Sequence, residues 1–377
     1  MPGRDAPRLA QLIEEAQRVL AICNACRYCE GYCAVFPALE RRLAFDEADI
    51  HYLASLCHNC GSCLYACQYA PPHEFQLNFP RVLAQVRKET YRKYAWPAFL
   101  GAAFEWNGLI AAIATVAGIA LLFMLLAGDS SRLFAAYSDA QGAFYALMPH
   151  GAMAGLFGVV FLFVLASLAM SFERFWSDTG ERVAELVAPP ALSGATWDAA
   201  GLRYLDGGGD GCTYPDEKPS FARRRFHHLT FYGFMLCFAA TAVGTIYHYV
   251  FGIRAPYPFW SLPVILGTVG GLGLIVGPVG LLWLRHVRDP DLGDRTQTGM
   301  DVAFIALLLL TSVTGLALLA LRETRGMGVA LAIHLGAVLA LFVTLPYGKF
   351  VHALYRFAAL VRFHIERRRP LPETGTD

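Results

Sequence analysis

The chain has 377 residues, 56% of them hydrophobic and 16% charged, with a formal net charge of +1. That is too apolar for an ordinary soluble protein. With no basic stripe carrying interleaved aromatics, the sequence also offers nothing to nucleic acid. Residues 1–103 are polar and rich in cysteine, and the remainder is mostly long apolar runs.

The first 20 residues are polar and charged and lack the apolar core of a secretory signal. A reducing compartment is therefore expected, and with it free thiols rather than disulfides. Eight of the ten cysteines lie in two copies of C-x2-C-x2-C-x3-C, namely Cys23, Cys26, Cys29, Cys33 and Cys57, Cys60, Cys63, Cys67. Zinc is usually held by two C-x2-C pairs, not by two runs of four. Four thiolates suit an iron–sulfur cube, and the fourth cysteine of such a run is placed to ligate the neighbouring cluster. The expectation is two [4Fe–4S] clusters held crosswise. Cys23, Cys26, Cys29 and Cys67 hold one, and Cys57, Cys60, Cys63 and Cys33 hold the other.

A small β-rich ferredoxin ends such a run in Cys-Pro, whereas Ala34 follows Cys33 and Gln68 follows Cys67. Between the runs, Phe45, Ile50, Leu53 and Leu56 recur behind a cluster of acids, the pattern of a helix. An α-helical ferredoxin-like domain over residues 1–100 is expected, with His58 exposed.

Six apolar segments follow, near 106–127, 147–171, 228–250, 260–284, 301–321 and 329–347. Each reaches the length of about 20 residues that a bilayer crossing needs. They predict an all-α membrane protein whose six-span bundle covers residues 101–365. The connection 173–225 contains GGGDGCTYPDEKPS and is expected to be an irregular loop. Residues 366–377 form a tail. Connections 173–225, 285–300 and the tail after Pro346 carry sixteen Lys and Arg, against four in 128–146, 251–259 and 322–328. The positive-inside rule puts both termini and the cysteine domain in the cytoplasm. Gly267, Gly270, Gly271, Gly273 and Gly277 of the fourth span allow a helix or a haem to approach closely. Cys237 is expected in the core and Cys212 in a loop.

Cofactors in helical bundles are held by side chains on facing helices. His227 or His228 opens the third span and His248 closes it; His334 lies near the start of the sixth and His352 just beyond its end. Eighteen residues separate His334 from His352, which is five turns and about 27 Å of rise. The helical phase prefers His227 to His228. Because the third and sixth spans are antiparallel, His227 with His352 is the expected inner haem site and His248 with His334 the outer one. His150, at the outer start of the second span, is a rival outer ligand or a quinone contact. One haem b or two are open on this reading. No hydride-accepting fold is encoded, so a flavin would have to come from a partner.

The strings GGGDGCTYPDEKPSFARRRFHHLTFYGFMLCFAAT, APYPFWSLPVILGTVGGLGLIVGPVGL and LPYGKFVHALYR, together with the two cysteine runs, resemble the tricarballylate (citrate) utilisation protein B family over about residues 15–365. A related sequence forms the membrane half of a fused flavohaemoprotein of cobalamin biosynthesis. The resemblance implies a role at the bacterial inner membrane. There a separate FAD-dependent tricarballylate dehydrogenase passes electrons to the B protein. Its [4Fe–4S] clusters and haem b deliver them to quinone and the respiratory chain. The chain is then an electron-transfer subunit rather than a stand-alone enzyme. A redox partner in cobalamin biosynthesis and a cluster-based redox sensor are the competing functions.

Overall fold

The computed structural model describes residues 5–126, 133–136 and 142–370. The end of the tail from residue 371 and much of the 128–146 connection, including Arg132, lie outside the described residues.

The cysteine-rich part is built from helices α1 (Asp5–Cys26), α2 (Val35–Leu39), α3 (Glu47–Leu56), α4 (Ser62–Tyr65) and α5 (Phe79–Tyr94). Local chemistry sets their ends. The Asp46 carboxylate accepts from the Asp49 amide at the start of α3, and the Asn78 side chain accepts from the Arg81 amide at the start of α5, two side-chain N-caps. Ile50, Leu53 and Leu56 of α3 pack with Val82, Leu83 and Val86 of α5 and with Val19 and Leu20 of α1 in one apolar core. The helix expected between the cysteine runs is present.

Among the described residues six helices are long and apolar enough to cross a membrane: Asn107–Leu126, His150–Asp178, Ala222–Tyr249, Leu262–His286, Arg295–Leu321 and Met327–Tyr347. We number the α-helical parts α6, α8, α11, α12, α13 (Thr298–Leu321) and α14 (Met327–Thr344), with the short α7 (Ala143–Leu147) before the second span. The most apolar window of the third span is 6% buried and that of the sixth is 61% buried. The sixth span is therefore central. The apolar outward faces of the others, among them Met235 and Phe238, require a lipid environment. The chain is a multi-pass membrane protein.

Spans three and four lie back to back because glycines let them. A Cβ built on Gly233 would stand 2.9 Å from the Gly270 carbonyl oxygen, and one on Gly270 2.8 Å from that of Gly233. The glycines of the fourth span thus serve helix–helix packing.

The 173–225 connection is not the irregular loop the glycines suggested. The second span continues to Asp178, followed by α9 (Val183–Leu186), α10 (Pro189–Ala200) and a two-stranded hairpin, β1 (Cys212–Thr213) and β2 (Pro219–Ser220), in which Cys212 pairs with Ser220. Tertiary burial orders this segment. α10 packs on the last helix, α15 (Val351–Glu366), which also packs on α3 and α8.

A buried ion network ties α15 to the cysteine-bearing helices. Glu366 pairs with Arg42 at 2.5 Å and with Arg362 at 2.9 Å, and Asp49 pairs with the same arginines at 2.7 and 3.1 Å. The Tyr52 hydroxyl donates to Glu366 at 3.0 Å, and both guanidiniums lie over the Tyr52 ring. Removing one member strands buried charge. Glu366→Ala is expected to destabilise the protein by about 3–5 kcal/mol, with Glu366→Gln milder. Thermal unfolding in detergent tests this, and an unchanged transition would show the network to be dispensable.

The three connections predicted to share one side meet there. Leu292 accepts a hydrogen bond from Asn59, Arg223 donates to the Asn59 carbonyl oxygen, and Arg356 donates to that of Cys57. The cysteine domain therefore caps one end of the bundle.

Candidate functional site

Both cysteine runs follow the same path. Cys23 and Cys26 lie three apart on the last turn of α1 and share a face. Cys57 ends α3, and Cys63 lies on α4. The residue after the second cysteine of each run, Arg27 and Gly61, has a left-handed backbone, with φ of 55° and 90°. That turn folds the third and fourth cysteines back toward the first two. At Gly61 the absence of a Cβ is also a packing requirement, because the Thr213 carbonyl oxygen occupies its place.

A cavity of about 210 Å³ is lined by Cys23, Cys26, Cys29, Cys63 and Cys67 against Phe36, Leu77 and Phe79. The first three cysteines of one run thus meet the third and fourth cysteines of the other. Cys63, which shares this cavity, also gathers with Cys33, Cys57 and Cys60. Burial pushes the Cys33 thiol well up, with Cys60 and Cys57 adding to it, and burial does the same at Cys63, with Cys60, Cys57 and Cys33 beside it. Cys29 is pushed up to about 12 by burial, then by Cys67 and Cys26. Thiols so crowded resist becoming thiolates together unless a cation balances them, which is how a metal site couples to proton release. Among the described residues no three His, Cys, Asp or Glu side chains converge tightly enough for a single ion. Spread sulfurs lining a cavity fit a multi-iron cluster.

Two participants near the second group were not legible in the sequence. Cys212, fully buried, comes from the glycine-rich connection. Its thiol, beside Cys60, is the largest cause lowering the Cys60 thiol to about 6. Its own Sγ also lies 3.1 Å from the Leu205 carbonyl oxygen. His58 is buried rather than exposed, with Nδ1 2.8 Å from the Leu56 carbonyl oxygen. Burial, then Arg356 and Arg223, holds it well below the usual histidine range.

The histidines divide. The rings of His227 and His352 are 6.1 Å apart between centroids and 78° between planes. Two imidazoles on opposite sides of one ion, with bonds of about 2 Å, place their centroids roughly 6 Å apart. His352 Nδ1 lies 2.5 Å from the Lys349 carbonyl oxygen, the contact that orients a ligating imidazole and leaves Nε2 to bind. Burial, then Arg356 and Lys349, keeps His352 neutral, the form in which it can ligate. His227 Nδ1 is buried with no hydrogen-bond partner. This pair fits a haem iron. His228 instead lies by Tyr232, its ring 5.7 Å away.

His248 does not meet His334. It stacks on His150, 3.8 Å between centroids and 11° between planes, flanked by Tyr145 and Tyr249. His334 Nδ1 instead lies 3.1 Å from Thr314 Oγ1 on α13. The sixth span packs against spans one, two and five, which points His334 toward the fifth. Face-to-face stacking leaves no gap between His150 and His248 for a bound ion, so these residues, so placed, do not fit a second haem.

Six membrane-capable helices and an N-terminal helical domain carrying two four-cysteine runs define a multi-pass membrane protein with a ferredoxin-like domain. Residues 106–373 match the family described as citrate utilization protein B, and residues 16–93 match the Fer4-like domain of citrate utilization protein B. The chain is 53% identical over 369 residues to citrate utilization protein B of Escherichia coli, covering 97% of this chain and 95% of that protein. It belongs to the citrate utilization protein B family. No solved structure matches it.

Proposed function

We propose that the protein is the membrane electron-transfer subunit of a citrate or tricarballylate utilisation system, taking electrons from a partner FAD-dependent dehydrogenase and passing them to quinone. The observation that carries this reading is a continuous contact path. It runs from the partly exposed first cysteine group, through the second group with its buried Cys57 and Cys60, to the helices bearing His227 and His352.

The chain's own groups have distinct tasks in this reading. Cys23, Cys26, Cys29 and Cys67 hold one [4Fe–4S] cluster beside the surface cavity, where a flavoprotein has access. Cys57, Cys60, Cys63 and Cys33 hold the other, closer to the bundle. His227 and His352 hold a haem b at the cytoplasmic end, and the buried His58 belongs to the loop of the second group. The clusters and haem, when bound, supply one-electron transfer, and the protein sets their spacing and surroundings. Residues 1–100 form the cluster domain and 101–365 the haem-bearing bundle, with both termini cytoplasmic at the bacterial inner membrane. The stretch Gly207–Cys212 packs on Ser62, Tyr32 and Cys60, so its task is to close the second group rather than to reach a partner.

The purified chain should oxidise neither citrate nor tricarballylate by itself. Adding the cognate reduced flavoprotein should bleach its iron–sulfur absorbance, and a quinone should restore it. Substrate oxidation without a flavoprotein, or absorbance that a reduced flavoprotein leaves unchanged, would sink the reading.

A further inference from the structure

Arg87 from α5, Arg223 from α11 and Arg356 from α15 converge on the backbone of residues 54–59. Arg87 Nη1 donates to the carbonyl oxygens of Ala54 at 3.1 Å and Cys57 at 2.9 Å. Arg356 donates through Nη2 to that of Cys57 at 2.9 Å and through Nε to that of Ser55 at 3.3 Å. Arg223 Nη1 donates to that of Asn59 at 2.7 Å, and its guanidinium stands over Tyr214 at 4.5 Å. Arg223 and Arg356 each sit one turn from a histidine of the inner pair, His227 and His352.

These carbonyls close the C-terminal end of α3, and capping that end accounts for the hydrogen bonds. It does not account for the charge. A helix end offers about half a negative charge, and three guanidiniums meet here. Among the described residues none of the three has a carboxylate partner, whereas Arg42, Arg285 and Arg362 each have one. Cations withdrawn from water are costly unless an anion balances them. No arginine or lysine lines the cavity of the first cysteine group.

We propose that Arg87, Arg223 and Arg356 are positioning residues forming a cation cage that favours the more negative, reduced state at Cys33, Cys57, Cys60 and Cys63. The cage sets the second cluster at a higher potential than the first and so directs electrons toward the bundle. This rests on the function proposed above. One electron leaves the first cluster as one arrives at the second. No proton need follow, because the guanidiniums stay charged throughout.

The test is a redox titration of the full chain in detergent, followed by electron paramagnetic resonance. Cys26→Ser and Cys57→Ser assign the two cluster signals. Arg356→Gln should lower the reduced-to-oxidised ratio of the second cluster about tenfold at a fixed potential, about 59 mV for one electron. The first cluster should not move. Arg356→Lys keeps the charge and should stay near the wild type, and Arg223→Gln should shift the second cluster the same way. If Arg356→Gln fails to assemble, Arg223→Gln carries the test, since it removes one hydrogen bond at the loop. The proposal is overturned by unmoved potentials in the Gln variants, by equal shifts of both clusters, or by a Lys variant that shifts as far as Gln. It is also overturned if the haem potential moves and the cluster's does not. Absence of clusters in the wild-type chain would instead overturn the function on which the proposal rests.

Discussion

Cys67→Ala is expected to abolish the cluster held by the first cysteine run while sparing the one held by the second. The wild-type chain should carry about eight non-haem irons, and the variant about four, since each cube holds four. The basis is the surface cavity, where Cys67 faces Cys23, Cys26 and Cys29 although 38 residues or more separate it from each of them. Cys33→Ala should do the reverse and remove the deeper cluster. The decisive comparison is spectroscopic. Cys67→Ala must lose the same paramagnetic signal as Cys26→Ala, and Cys33→Ala the same signal as Cys57→Ala. If Cys67→Ala and Cys57→Ala lose one signal between them, each run holds its own cluster and the crosswise assignment is wrong. A wild-type chain with four non-haem irons would remove one cluster altogether.

His352→Ala should eliminate low-spin haem from the purified protein, from about one per chain to none, with His227→Ala equivalent and His228→Ala near wild type. The spacing of the His227 and His352 rings and the Lys349 carbonyl on His352 Nδ1 carry this expectation. His334→Ala should keep all of its haem, because His334 is engaged by Thr314. Pyridine extraction gives the stoichiometry, and the reduced absorbance band gives the spin state. Two haems per chain, half of them lost in His150→Ala and His248→Ala, would establish an outer site after a side-chain rearrangement that separates the stacked pair. Half lost in His334→Ala would restore the pairing expected from helical phase. Full haem in His352→Ala would remove the inner site.

The residues that proved easiest to place were those whose chemistry is local. The spacing within each cysteine run constrains the four thiols directly, because three intervals of two or three residues leave the chain few paths. Apolar length alone marks the six spans, since a bilayer crossing has a minimum extent. His227 over His228 followed from phase on one regular helix, and the structure puts His227, not His228, against His352.

What failed was inference between helices. Antiparallel order puts His248 and His334 at matching depth but says nothing about rotation or adjacency. The third span packs chiefly on the fourth, through Gly233 and Gly270, so His248 faces His150 across to the second span. The 173–225 connection failed for a related reason. Its glycines and prolines suggested a free loop, yet Gly207 fits against Ser62 of the second cysteine run and Gly208 against Tyr32 of the first, and Cys212 reaches Cys60.

By itself, the sequence determined the six membrane-capable helices of the described residues and the helical cysteine domain, because each depends on short-range spacing and on burial of apolar length. Only the tertiary structure decided which histidines face one another, that His58 is buried, and that three arginines without carboxylates surround the Cys57 loop. Those depend on helix rotation and on contacts between residues far apart in the chain, such as Asn59 with Leu292 and Cys57 with Arg356, and no local pattern encodes them.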